Sequence, residues 1–299
     1  DELLQLFGIP RTMMAKPLPC DSMFGATTVE GLFKQPITIA GCLGDSHGAL
    51  AGQMCFEAGM GKATYGTGSS VMVNIGEQPL AAPEGLVTSV GFAACNKVFY
   101  AFEGNIHCTG ATIKWMTDKL QLIKSPSEIE AFALSVADNG GVYLVPAFAG
   151  LGAPYWDTKA KAMICGMTLA TEKGHVCRAA LEAIAYQVKD LIDLMTNHAG
   201  ITLKELRVDG GPTKNKLLMQ FQADMLAACI NRSDVEEASA MGAIIMNGLA
   251  RKIWKNLEEV AALRTSDNRI LPNMTAQERN KLYGGWENAV NTVRYQAEN

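Results

Sequence analysis

Tyr65-Gly66-Thr67-Gly68-Ser69-Ser70, set between Ala63-Thr64-Tyr65 and Val71-Met72-Val73, restricts the fold more than any other stretch of the chain. The flanking runs favour β-structure and predict strands over Lys62–Tyr65 and Val71–Ile75, joined by a tight turn. Neither glycine carries a Cβ, so ligand can approach the turn backbone closely. Successive N–H groups in such a turn form an anion-binding concavity, to which Thr and Ser hydroxyls add donors. An ordinary hairpin has the same sequence signature, so phosphate binding is not decided by this hexapeptide alone.

Two further glycine turns stand where strands are expected to end. Pro36–Gly41 reads as a strand leading to Gly44-Asp45-Ser46, followed by a helix from Ser46 to Ala58. Leu206–Asp209 reads as a strand running into Gly210-Gly211-Pro212, before a helix bearing Leu218, Phe221 and Met225. Ligands gather at strand-to-helix crossings in open α/β sheets, and Asp-Gly-Gly lets a flat base or ribose slide over bare backbone. The three turns together describe a nucleotide cleft with a carboxylate at its edge.

The remaining pattern fits such a sheet. Leu86–Ala94, Val98–Glu103 and Val142–Val145 read as strands, and Gly110–Leu120 as a helix. Ser125-Pro126-Ser127-Glu128 has the form of a capping box opening a helix to about Ala137. The longest helix is expected from Lys173 to His198, with Val176, Ala180, Ile184, Leu191 and Met195 as its apolar stripe. Ala238–Leu249 is a small-residue helix suited to close packing, and Thr275-x-x-Glu278 caps the last helix. Strands first and alternating strands and helices later predict an α/β fold, a mixed sheet covered by helices. Residues 19–35, rich in Pro, Gly, Ser and Thr, read as a linker, preceded by a short helix around Leu3, Leu4 and Phe7.

Composition excludes several classes. With 299 residues, 48% of them hydrophobic, the chain can bury a sizeable core. A net charge of −4 without Lys/Arg clusters argues against a nucleic-acid surface. No apolar run approaches the ~18 residues of a membrane helix. The eight cysteines form no CxxC pair and the four histidines are scattered, so no residue is assigned to a metal. A reducing, cytoplasmic setting is expected. His47 and His107 are read as structural, Trp156 as packed in its loop, Cys165 and Cys177 as packing residues, and Glu182 as a structural hydrogen-bond acceptor.

Ala162-Met163-Ile164-Cys165-Gly166-Met167, followed by His175-Val176-Cys177-Arg178-Ala179-Ala180-Leu181-Glu182, resembles the C-terminal signature of FGGY carbohydrate kinases. Val145-Pro146-Ala147-Phe148 and Val208-Asp209-Gly210-Gly211 with Leu217-Leu218-Met219-Gln220-Phe221-Gln222 extend the resemblance, which runs from Leu3 to about Ala250. It implies the actin-like ATPase (ribonuclease H-like) fold and ATP-dependent phosphorylation of a sugar or polyol, with ATP and Mg as cofactors. Carried over by position, Asp45 matches the catalytic aspartate and Gly66, Thr67 and Gly68 the phosphate turn. Gly110, Gly210, Gly211 and Asn215 match nucleotide contacts, and Ser46 and Ser70 fall beside Asp45 on the substrate side.

The glycerol-specific members of the family differ there: they carry Gln at the Ser46 position, an aromatic residue at Ser70 and Gln at Lys114. The smaller, more polar lining points to a longer polyol or a ketose. The family's Asp-x-Gly-Thr hairpin is missing from this sequence, which also begins without Met. The expectation is therefore that residues 1–35 are the terminal helix of a missing N-terminal kinase domain plus linker, and 36–299 the C-terminal actin-like ATP-binding domain. The chain alone is expected to bind Mg-nucleotide weakly without phosphorylating sugar, and the full-length protein to be a homo-oligomer. A non-catalytic actin-like ATP-binding or scaffold domain is the alternative, and the presence of Asp45 speaks against it.

Overall fold

The computed structural model describes residues 1–235, 237–264 and 268–298. Its strands are β1 (Met23–Thr27), β2 (Ile37–Ala40), β3 (Met60–Tyr65), β4 (Ser69–Gly76), β5 (Val87–Ala94), β6 (Lys97–Ile106), β7 (Tyr143–Val145), β8 (Met163–Cys165), β9 (Glu205–Gly210), β10 (Cys229–Arg232) and β11 (Arg269–Ile270). Its helices are α1 (Glu2–Leu6), α2 (Asp45–Gly52), α3 (Gly110–Asp118), α4 (Ile129–Leu134), α5 (Lys173–Ala199), α6 (Lys216–Leu226), α7 (Ala238–Ala250), α8 (Leu257–Ala261) and α9 (Ala276–Glu298).

Seven strands form the main sheet in the order β11-β10-β9-β3-β4-β6-β5. The meander β3, β4, β6, β5 is antiparallel, whereas β9 runs parallel to both β3 and β10. Parallel neighbours require a crossover, and α6 supplies it between β9 and β10. This is the mixed sheet covered by helices expected of an actin-like, ribonuclease H-like fold.

Strand alternation sends Ala63, Tyr65, Val71, Val73, Leu206 and Val208 into the larger core, where they meet α5 and α6. Met72, Phe92, Phe99 and Ala101 join the second core with Leu50 of α2 and Ile245, Met246 and Leu249 of α7. The small-residue helix behaves as its composition demands. A Cβ on Gly52 would collide with the Ala238 carbonyl, and one on Gly242 with the Gly48 carbonyl, so α2 and α7 can touch backbone to backbone. That contact holds α2, and with it Asp45, against the rest of the domain.

Helix α5 spans 27 residues and ends at Gly200, which takes the left-handed conformation (φ 64°) of a C-terminal cap. Its expected stripe is buried at Ala180, Ile184, Leu191 and Met195, and half-buried at Val176. Its N-terminal capping box, Glu172 with His175, was not anticipated.

Other local expectations need correction. Ser125 does not cap a helix: its hydroxyl faces Ser127 Oγ at 2.8 Å, while Glu128 accepts from the Lys124 N–H at 2.8 Å. A 3₁₀ turn over Pro126–Glu128 therefore precedes α4, which stops at Leu134. Helix α2 ends at Gly52 rather than Ala58, because Met54 turns to φ 56° and reverses the chain. Residues read as linker contain β1, which pairs with β2 in a separate antiparallel hairpin. Strand β2 thus lies outside the main sheet.

One buried carboxylate ties three segments together. Asp190 of α5 accepts hydrogen bonds from Tyr155 (3.1 Å), Tyr283 (2.7 Å) and Trp286 Nε1 (3.0 Å). It therefore joins the 150–157 loop and α9 to α5, while Trp286 stacks on Tyr186 at 5.3 Å. Burial pushes the Asp190 carboxyl up to about 7, against the pull of these three donors. Glu182, buried and bonded to Arg178 and Asn139, is likewise pushed up to about 7 by burial.

Both groups hold protons in the folded chain that the unfolded chain releases above about pH 4. The stability they contribute is complete below that pH and is lost as pH rises through about 7. Denaturant titrations between pH 4 and pH 8 should show this decline flattened in Asp190→Asn. Asp190→Ala, which strands the buried Trp286 N–H and the hydroxyls of half-buried Tyr155 and Tyr283, should lose about 3 kcal/mol. An unchanged pH slope in Asp190→Asn would show that Asp190 titrates at its ordinary value.

Candidate functional site

The three glycine turns meet along one edge of the sheet because β3 and β9 run parallel and in register. Thr64 pairs with Asp209, and Tyr65 with Gly210, so both strands deliver their turns to the same side. Beyond β3, the Tyr65–Ser69 turn is fixed from below by α3. The N–H groups of Thr109 and Ala111 donate to the Thr67 carbonyl at 2.9 and 3.0 Å, and that of Gly110 to the Gly66 carbonyl at 3.0 Å. The start of α3 is thus satisfied by the turn's carbonyls. Among the described residues the amides of Thr67 and Gly68 make no hydrogen bond, and Thr67 is exposed.

The turn borders a cleft of about 660 Å³, lined by Tyr65, Gly66, Thr67, Gly110, Gly211 and Asn215 among others. Ile113, Ile129, Leu181 and Leu218 give it an apolar wall, and Lys114 and Lys214 add cations. Size and lining suit a small organic ligand with a flat apolar part and a charged tail. Across the cleft, Glu130 Oε1 accepts from the Leu217 N–H at 2.9 Å and ties α4 to the first turn of α6. Asn215 caps α6, its Oδ1 accepting from the Leu218 N–H at 2.8 Å, which orients its amide and leaves the NH₂ available.

A pocket of about 250 Å³ adjoins this cleft and holds Asp45, Ser46, Lys62, Thr64, Gly66, Gly68, Ser70 and Ser239. Gly66 is common to both. Asp45 opens α2, where a carboxylate is favoured by the helix macrodipole. It is exposed, with Oδ1 accepting from the Ser46 N–H at 2.6 Å, while the Asp45 carbonyl accepts from Ser239 Oγ at 2.8 Å. Gly210 borders a third hollow of about 440 Å³, which shares Gly211 and Lys214 with the large cleft. All the residues singled out in the sequence therefore line one connected edge.

Several polar groups here escaped the sequence reading. Lys62 is 1% exposed in the middle of an apolar strand, a position where a cation is not expected. Gln53 donates to the buried carboxylate of Asp209 at 2.9 Å across the whole width between α2 and β9. Neither partner is near the other in sequence, so no local pattern announces the pair. The histidines behave as structural residues: His47 bonds Ser89 Oγ at 3.0 Å and His107 packs edge-on against Trp156. Trp156, read as packed, is 53% exposed and anchored through its N–H to the Gly85 carbonyl at 2.6 Å. Cys177 is buried and Cys165 half-buried, Glu182 accepts from Arg178 and Asn139, and no helix among the described residues can cross a membrane.

Residues 61–251 match the C-terminal domain of the FGGY family of carbohydrate kinases, and the chain belongs to that family. It is 45% identical to glycerol kinase 2 of Thermotoga maritima over 290 residues, 97% of this chain and 58% of that protein. It is 43% identical to the Bacillus subtilis glycerol kinase over 290 residues, again 97% of this chain and 58% of the relative. The solved Plasmodium falciparum glycerol kinase with ADP superposes with a TM-score of 0.90 at 37% identity, over 98% of this chain and 59% of that one. Xylulose kinase from Rhodospirillum rubrum shares the fold, with a TM-score of 0.86 at 20% identity over the whole of this chain and 61% of that one. The chain thus spans less than two thirds of the length of these relatives.

The turn's dependence on glycine is testable. A Cβ on Gly110 would sit 2.7 Å from the Gly66 carbonyl oxygen, so Gly110→Ala has to lift the turn away from α3. The variant should lose about 1–3 kcal/mol of stability in denaturant titration. An unchanged midpoint and slope would mean that the turn is not held by this contact.

Proposed function

We propose that the chain handles the nucleotide and supplies the base in an ATP-dependent kinase acting on a hydroxyl of a polyol or sugar. The observation that carries this reading is the shared Gly66 wall, which puts the exposed Asp45 carboxylate in a pocket adjoining the cleft of the Thr67 turn. A bare nucleotide binder has no use for a carboxylate in that pocket. The similarity to glycerol kinases, including one solved with ADP, supports the same reading.

The residues fit a nucleotide. The apolar wall of Ile113, Ile129, Leu181 and Leu218 suits a base, Gly211 lets ribose or base lie against backbone, and Asn215 offers its NH₂. The Thr67 and Gly68 amides, with the Thr67 hydroxyl, form the donor set for terminal phosphates. Bound ATP supplies the phosphoryl group, and Mg²⁺ neutralises its oxygens. No group of three or more acidic, His or Cys side chains among the described residues forms a metal cage. Asp45, as the exposed carboxylate beside the cleft, would be the residue at hand for Mg²⁺ arriving with the nucleotide, where the ion would neutralise phosphate charge.

Asp45 takes the proton of the acceptor hydroxyl as the oxygen–phosphorus bond forms. The Ser46 N–H on Oδ1 fixes the carboxylate orientation and leaves Oδ2 for the acceptor. The acceptor is a polyol or ketose longer than glycerol, because Ser46 and Ser70 leave the 250 Å³ pocket wide and polar. The setting is cytoplasmic, where ATP is available.

Two measurements test this on the full-length protein carrying the chain. Asp45→Asn should lower kcat by about 10²–10⁴-fold while calorimetric affinity for Mg-ADP stays within about threefold. Retention of a tenth of the turnover would remove Asp45 as the base. In an ATP-consumption screen, a longer polyol or ketose should give a higher kcat/KM than glycerol, and glycerol in first place would overturn the acceptor assignment.

A further inference from the structure

The buried ammonium of Lys62 is the most costly group in the acceptor pocket. Burial pulls its affinity for a proton down, opposed by the more distant charges of Asp209, Glu103 and Asp45. Among the described residues no carboxylate lies within ion-pair distance of it. Its recorded hydrogen bonds go to one residue, Ser70, at 2.8 Å to Oγ and 3.4 Å to the carbonyl oxygen. A lysine in such a place is retained against a substantial desolvation penalty.

The hydrogen inventory gives this pair a polarity. An ammonium only donates, so Ser70 Oγ must accept from Lys62, and its own hydrogen is left to point elsewhere. Among the described residues that hydroxyl makes no further hydrogen bond, and Ser70 is half-buried at the pocket wall. The buried hydroxyl of Thr64, in the same pocket and paired across the sheet with Ser70, also has no hydrogen-bond partner among the described residues. The pocket floor therefore carries two hydroxyls whose hydrogens are not committed to the protein, and Lys62 leaves Ser70 free to donate.

We propose that Lys62 is a positioning residue that locks Ser70 as a donor, and that Ser70 donates to a second oxygen of the acceptor. That oxygen is a hydroxyl or carbonyl on a carbon other than the one whose hydroxyl meets Asp45. The inference rests on the kinase reading above and adds to it a requirement: the substrate carries an accepting oxygen at a fixed distance from its reacting hydroxyl. Monodeoxy analogues of a good acceptor lack that oxygen at one carbon and leave the donors unpaired.

The test compares the best acceptor with each of its monodeoxy analogues, on the full-length protein and on Ser70→Ala, Lys62→Met and the double variant. The unsubstituted protein should reject one analogue by roughly tenfold to hundredfold in kcat/KM. Ser70→Ala should abolish that discrimination through the acceptor KM, and Lys62→Met should do the same although it removes no group from the Ser70 side chain. The double variant should be no worse than Lys62→Met alone, because the two act as one unit.

Calorimetric affinity for the acceptor should fall in parallel, with Mg-ADP affinity unchanged. Additive losses, or full discrimination in Lys62→Met, would overturn the positioning role. If Lys62→Met does not fold, Ser70→Ala decides, and intact discrimination there overturns the proposal. Absence of turnover with every acceptor in the unsubstituted protein would instead remove the kinase reading and this inference together.

Discussion

The parallel pairing of β3 with β9 is the constraint on which the site depends. It joins strands separated in sequence by nearly half of the chain, and its register, Thr64 with Asp209 and Tyr65 with Gly210, sets where two turns emerge. A one-residue slip would send Tyr65 and Val208 from the larger core toward α2 and bring Lys62 into that core. The apolar alternation on both strands forbids this. At the last rung the two chains lie so close that a Cβ on Gly210 would collide with the Tyr65 carbonyl, and Gly210 takes φ 96° to leave the sheet. The glycine is required by the pairing itself, whatever binds beside it.

On the opposite face of β3, the same register creates an electrostatic layer beneath the site. Lys62, Thr64 and Asp209 project toward α2, between the second core and solvent. Gln53 of α2 binds Asp209, so that carboxylate is partly neutralised by an amide hydrogen bond. Lys62 binds Ser70 on the neighbouring strand instead. Asp45 stands outside this layer at the helix start, exposed, with only its neighbour's N–H on one oxygen. These three charged groups thus have distinct environments, with Lys62 and Asp209 buried and Asp45 exposed.

The elements that the sequence made legible are those governed by local rules. Apolar, β-favouring runs over 62–65 and 71–75 announced β3 and β4, and the apolar stripe ending at Gly200 announced α5. Small residues from Ala238 onward announced the close approach of α7. Turn chemistry pointed to Asp45, Gly66, Thr67, Gly68, Gly210 and Gly211, and the family resemblance to Gly110, Asn215, Ser46 and Ser70; the fold gathers them along one edge. What escaped was decided by distant partners. Strand β1 is poor in β-branched residues and exists because β2 lies beside it. Ser125 loses its capping role because Glu128 bonds the Lys124 N–H first. Lys62, read only as the first residue of a strand, is buried because α2 packs over that face of β3.

The Gly66–Gly68 turn and the pocket holding Asp45 share a short, well-held stretch of chain. Strand β4 begins at Ser69, whose hydroxyl is held by Thr109 at 2.7 Å just before α3, and Ser70 follows directly, held by Lys62. The Gly66–Gly68 turn is therefore clamped on its entry side by β3, beneath by the first N–H groups of α3, and on its exit side by these two serines. A ligand that draws on the Ser70 hydroxyl pulls on the residue two positions beyond Gly68, while a ligand on the Thr67 amide pulls on the same turn from the other cleft. Phosphoryl transfer needs the two reactants held in line, and a loose hinge between their sites would forfeit that alignment. Here the link is a few residues of hydrogen-bonded strand with both hydroxyls engaged, so displacement at one site is carried to the other rather than absorbed between them.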